Sequence, residues 1–225
     1  MHKIISLIFL ICLSVQLPAI SAEKNEVDLY EEAVELFNQD KYKQAIRAFQ
    51  QIEDLYPISY WAMKAKLLSG VSNYNMGDYS NAAIDMNEYI DTYPNNDNLF
   101  YAYYLRMLSY YMQINKIQLE QQIAYKTLEL ATEYMNLFPD GEYINDVNEK
   151  VKLVTQHIAA KEYSIGSFYF RRGEYLAAIK RFKNIIDYKN SHYLFKSLKY
   201  LVAAHLALGL ELEAEKYETM LANIS

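Results

Sequence analysis

The sequence predicts an all-α fold, a solenoid of about five stacked helix pairs, and three observations carry that prediction. A short phrase recurs: KYKQAIRAF at residues 41–49, GDYSNAAIDM at 77–86 and GEYLAAIKRF at 173–182. In each, a Gly or Asp opens a turn, a Tyr follows, a small Ala comes next, and a bulky apolar residue sits four positions after that Ala. Small residues and prolines keep a fixed distance from the phrase. Ala33, Gly70 and Gly166 lie twelve residues before Ala45, Ala82 and Ala178, and Pro57 and Pro94 lie twelve after the first two. Only six Gly and four Pro occur in 225 residues, a composition that suits helices.

This spacing fits the tetratricopeptide (TPR) unit of roughly 34 residues, in which helix A and helix B cross closely. A bulky side chain where Ala33 or Gly70 faces Ala45 or Ala82 would prise the pair apart. Proline ends helix B because it lacks an N–H and disfavours helical geometry in the residue before it.

In order, helices are predicted at Asp28–Asn38 and Lys41–Tyr56, then at Tyr60–Asn75 and Asp78–Tyr93. Glu31 and Glu32 would then lie in a first turn, where they suit the helix dipole. A third helix A, Asn98–Gln113, is dense in aromatic residues, and its partner, Leu119–Phe138, stops before Pro139. Pro94 to Pro139 is 45 residues against 37 from Pro57 to Pro94, so this unit carries an insertion near residues 114–117. From Gly141 to Arg172 the apolar residues Ile144, Val147, Val151, Val154, Ile158, Ile165 and Phe168 step by three and four. One long helix is expected there, locally broken at Lys161, and it serves as helix A of the fourth unit. The fifth pair is Tyr193–Leu208 and Glu211–Ala222, with Glu218 at the bulky position and a polar outer face suited to a terminal repeat.

Residues 1–22 carry one Lys, an apolar run from Ile4 to Val15, Pro18, and small residues at Ala19, Ser21 and Ala22. This is the pattern of a secretory signal, the run being about 12 residues against the roughly 20 of a membrane span. Residues 23–225 then form a single solenoid. Loss of Lys3 takes the formal charge from −6 to −7, an acidic balance that argues against a nucleic-acid partner. The lone cysteine, Cys12, lies in the signal, so neither a disulfide nor a Cys-ligated metal is expected. His157, His192 and His205 show no metal-binding spacing and are expected at the surface or in the groove. No phosphate loop, nucleophile elbow or zinc motif is present. An enzyme is therefore not expected, and neither is a cofactor.

The stretch from Tyr56 to Pro94, the run YAYYLRMLSYY and the run AAKEYSIGSFYFRRGEYLAAIKRFKNIIDY resemble the BamD family of outer-membrane β-barrel assembly subunits, in its alphaproteobacterial form. The resemblance extends from about Leu29 to Leu221. Its more specific marks are Trp61-Ala62, Ala102-Tyr103-Tyr104-Leu105, Lys161-Glu162 and Arg171-Arg172-Gly173. It implies a periplasmic TPR protein at the inner face of the outer membrane. Repeats 140–225 would dock on a POTRA domain of the barrel subunit BamA, alongside the other BAM subunits. Repeats 26–139 would receive unfolded outer-membrane proteins. In that frame Arg172, Lys180 and Arg181 are the candidate docking residues, Arg181 for a pairing with an acidic site. Helix A residues of the first three units line the inner groove, with Tyr30, Phe37, Tyr74, Tyr101 and Tyr104 as ring surfaces. Lys64 and Arg106 stand ready for a terminal carboxylate.

Two departures stand beside the resemblance. A lipoprotein signal wants a small residue just before its modified Cys, whereas Cys12 follows Phe9-Leu10-Ile11. Cleavage near Ser21 or Ala22, without lipidation at Cys12, is therefore expected. The chain also ends at Ser225, where relatives continue. Other readings of the same solenoid are a periplasmic TPR adaptor for cell-envelope or cell-division proteins, and an envelope enzyme such as a lytic transglycosylase.

Overall fold

A computed structural model describes residues 24–114 and 121–224, and every described element is an α-helix. The ten helices are α1 Glu26–Asn38, α2 Tyr42–Leu55, α3 Tyr60–Asn75, α4 Tyr79–Thr92, α5 Leu99–Ile114, α6 Gln121–Leu137, α7 Ile144–Arg171, α8 Tyr175–Lys183, α9 Leu194–Ala207 and α10 Glu211–Ala222. They form five A/B pairs as the repeat spacing requires. The expected signal, Cys12 and most of the expected insertion fall outside the described residues.

The turns explain why the phrase begins with Gly or Asp. Asp40, Gly77, Gly173 and Gly209 all have positive φ, from 56° at Asp40 to 76° at Gly77 and Gly173. A backbone of this hand ends helix A in a Schellman-type turn. In the second unit the Asp78 amide donates to the Asn73 carbonyl at 2.9 Å, and in the fourth the Glu174 amide donates to Tyr169 at 3.0 Å. Helices α2 and α4 stop one residue short of Tyr56 and Tyr93, the residues before Pro57 and Pro94.

Close packing within a pair follows a rule slightly different from the expected one. A Cβ added to Gly70 would lie 2.2 Å from Met86 Cε, and one added to Gly166 would lie 2.8 Å from the Phe182 ring. The small residue thus makes room for the bulky residue one turn beyond the small Ala, rather than for that Ala itself. Phe49, Met86 and Phe182 are all fully buried as a result.

Consecutive helices pack in sequence order, and the A helices α1, α3, α5, α7 and α9 also touch one another in series. Among the described residues the B helices α2, α4, α6, α8 and α10 make no such contacts. The A helices therefore line the inner side of the curve and the B helices the outer side.

Four expectations are corrected. Helix α7 runs unbroken through Lys161, since Lys is a good helix former and needs no break where its stem can lie along the surface. His205 is buried rather than at the surface or in the groove: its Nδ1 lies 2.7 Å from the Leu201 carbonyl and its ring packs on Tyr217. Helix α1 starts at Glu26, so Glu26 and Asp28 occupy its first turn and Glu31 and Glu32 lie beyond it. Asn25 caps that helix in a capping box with Asp28. Finally, the outer face of the last pair is not wholly polar, because Leu212 is 81% exposed beside Leu208 and Leu210.

Candidate functional site

The inner surface carries two aromatic centres joined by α3. At the start of α3, the Trp61 ring lies 4.8 Å from Tyr30 of α1, and Tyr60 packs edge-on against Trp61. Lys64, one turn on, holds its ammonium 4.6 Å above the Tyr60 ring and 5.4 Å from that of Trp61. The hydrogen bond that the ammonium donates to the Tyr60 oxygen raises the Lys64 pKa, so Lys64 stays charged. Among the described ion pairs none involves Lys64, whereas Lys66, Arg106, Lys150 and Arg181 all have carboxylate partners.

The second centre lies where α5 packs against both α3 and α7. Tyr74 sits ten residues after Lys64, about 15 Å along the helix axis. Tyr104 stacks on Tyr143 at 4.2 Å, Tyr101 lies 5.9 Å from the same ring, and Phe100 is near-parallel to it at 5.9 Å. The Tyr104 hydroxyl donates to Asp146 Oδ2 at 3.0 Å, and Asp146 is in turn paired with Lys150 at 2.8 Å. Burial, reinforced by the hydrogen bond to Asp146, pushes the Tyr104 hydroxyl well above the ordinary phenol range. Burial raises Tyr74 and Tyr101 too, with the Asp146 charge a further cause at Tyr74. Tyr143, Asp146 and Lys150 belong to the fourth unit and were not among the sequence-derived groove residues. The only sequence signal for them is their place at the start of a helix A.

Two sequence-derived groove residues sit elsewhere. Phe37 packs edge-on against Tyr42 at the α1–α2 turn, 5.5 Å away, as part of the pair's core. Arg106 is only 8% exposed and binds across three helices: it donates to Asn87 of α4 at 3.0 Å, pairs with Glu133 of α6, and lies over the Tyr103 ring. It is a strut, not a free cation.

The predicted docking residues separate in a similar way. Arg172 is exposed, paired with Glu174 at 2.8 Å and set over the Phe168 ring. Lys180 is exposed on α8. Arg181 is held on one edge, its Nη1 3.3 Å from Glu162 of α7. On the outer side, Lys66 lies among Glu53, Asp85 and Glu88, beside a cleft of about 440 Å³ between α2, α3 and α4. Among the described residues no group of His, Cys, Asp and Glu is placed to hold a metal.

A family model described as "YfiO: Outer membrane lipoprotein" matches residues 22–220. The chain belongs to this family. The match begins ten residues past Cys12. An outer membrane protein assembly factor BamD of Rickettsia prowazekii is 34% identical over 194 residues, covering 86% of this chain and 77% of the relative. The protein of the same name from Caulobacter vibrioides is 30% identical over 201 residues, with 88% of this chain and 66% of that relative covered. Among solved structures, the TPR2AB domain of yeast Sti1 superposes with a TM-score of 0.48 at 13% identity, over 89% of this chain and 77% of that one.

Proposed function

We propose that this chain is a non-catalytic subunit of the outer-membrane β-barrel assembly machine, working at the periplasmic face of the outer membrane. The family and the names of its Rickettsia and Caulobacter relatives support the assembly role over the other adaptor readings. In this reading the inner surface of the first three units receives the C-terminal strand of an unfolded outer-membrane protein. The fourth and fifth units, through Arg172, Lys180 and Arg181, dock on the POTRA domain of BamA.

One observation carries the receptor half of the proposal. Lys64 is a cation set on two aromatic rings, without a carboxylate of its own among the described ion pairs, at one end of a tyrosine-lined surface. Such a site suits an aromatic residue followed by a terminal carboxylate, the ring packing on Tyr60 and Trp61 and the carboxylate meeting the ammonium. Arg106 does not share the role, because Glu133 and Asn87 already occupy it. Among the described residues the other centre offers no free cation, since Lys150 is already paired with Asp146, so the groove has a polarity: the peptide's C-terminus lies toward α1 and its upstream residues toward α7.

The test is a synthetic strand of alternating apolar residues ending in an aromatic, titrated into the mature protein. Binding on the order of micromolar is expected, since an unstructured peptide must be ordered to bind. Amidating its C-terminus should weaken binding about fivefold, roughly 1 kcal/mol for a partly exposed ion pair. Lys64→Gln should abolish that sensitivity to amidation. Equal binding by a scrambled peptide would remove the receptor role.

A further inference from the structure

Glu162 is the buried carboxylate that neither the groove nor the repeat pattern explains. Its side chain is 1% exposed, in the middle of α7, where the repeat needs only packing. Three side chains from two other helices converge on it. Gln121, the first residue of α6, and Asn184, just past the end of α8, donate to its two oxygens, Asn184 at 3.0 Å. The third is Arg181 of α8, the one positively charged donor among them, at 3.3 Å. A buried carboxylate is tolerated where charge and hydrogen bonds are both supplied, and here they are.

The arrangement leaves Arg181 with two sides. One edge of its guanidinium rests on Glu162, while the side chain as a whole stays 34% exposed. A planar guanidinium has five N–H donors in a rigid fork, so one N–H on Glu162 leaves others for a second acceptor. A free arginine on a helix surface samples many rotamers and loses that freedom on binding, whereas a tethered one has already lost part of it.

We infer that Glu162 is a positioning residue: it fixes the pose of Arg181 so that the outer edge of the guanidinium is presented, ready-oriented, to a carboxylate on the docked partner. This rests on the proposal that Arg181 belongs to the docking face. It adds that the fourth unit's specificity for an acidic partner is built from the inside, by a residue that never touches that partner. The three-helix junction also makes the pose depend on how α6 is seated, through Gln121.

Two measurements test this separately. In the free wild-type protein, ¹⁵N relaxation of the Arg181 Nε–H should give an order parameter near the rigid-backbone value of about 0.85, falling below about 0.6 in Glu162→Gln. A mobile Arg181 in the wild type overturns the positioning role, and this reading holds even if Glu162→Gln fails to fold. In the second measurement, an isolated POTRA domain of the barrel subunit is titrated into wild type, Glu162→Gln, Arg181→Gln and the double variant. Glu162→Gln should weaken binding about fivefold, Arg181→Gln by more, and the double variant no further than Arg181→Gln alone, the non-additivity of residues acting as one unit. Fully additive losses would overturn the coupling. If Arg181→Gln binds as tightly as wild type, the docking assignment itself fails, whatever the relaxation data show.

Discussion

At the scale of single residues, cations that look alike in the sequence have different jobs because of what each one meets. Arg106 and Lys64 both sit on A helices of the groove region, yet Arg106 is wedged between Asn87, Glu133 and Tyr103. Arg106→Ala should therefore cost about 2–4 kcal/mol in urea denaturation through lost packing and hydrogen bonds, and leave the peptide's sensitivity to amidation intact. Lys64→Gln should do the reverse, with stability nearly unchanged. The outer cluster makes a pH prediction. Burial raises Glu53 and Asp85 above the ordinary carboxylate range despite the nearby Lys66. A carboxyl with a raised native pKa binds more protons folded than unfolded, so its contribution to stability falls as pH climbs from about 4 through that raised value. The pH slope of stability should thus be less negative over that window in Glu53→Gln than in wild type, when the two denaturation series are compared.

Between helices, the decisive feature is the small residue that admits a large one. Gly166 faces the rigid, fully buried Phe182 ring, with three ring atoms between 2.8 and 3.0 Å of an added Cβ. Gly70 faces mainly the flexible end of Met86. Gly166→Ala should destabilise by about 1–3 kcal/mol as overpacking outweighs the gain in helix propensity. Gly70→Ala should change stability by no more than about 1 kcal/mol, because the methionine can turn away. Comparable urea midpoints for the two variants would contradict this account of the pair packing. Helix α7 serves two units at once: Val147 and Val154 pack in clusters with α5 and α6, and Ala159 packs with α8 and α9. Its length of 28 residues is what joins the third unit to the fourth and fifth.

Across the whole molecule, stability rests on tyrosines that bridge one helix to the next. Burial is the first cause of raised phenol pKa values at Tyr30, Tyr74, Tyr89, Tyr101, Tyr134 and Tyr188, the last pushed up to about 12. Each of these groups holds its proton more tightly folded than unfolded, so the stability they contribute is lost as pH rises above about 10. Helical circular dichroism should therefore collapse cooperatively on the way to about pH 12, with phenolate absorbance appearing in step. Phenolate formation well ahead of the loss of helix would show that these rings are more open to water than their packing implies.

The sequence by itself determined the helices, their pairing and their turns, because each has a local cause. Prolines stop α2 and α4, Asp40 and Gly77 supply the backbone hand that ends α1 and α3, and a small residue answers a bulky one sixteen positions later, as Gly70 does Met86. It also showed which residues share one face of an A helix, since such residues recur at helical spacing. Only the tertiary structure decided which of those residues are free to bind. Arg106 finds Glu133 27 positions away, Tyr104 finds Asp146 42 away, and Arg181 finds Glu162 19 away. Helical periodicity tells which face a side chain leaves from. In a stack where every helix is flanked by others, only the packing sets whether a charge on that face meets water, a partner or a buried carboxylate.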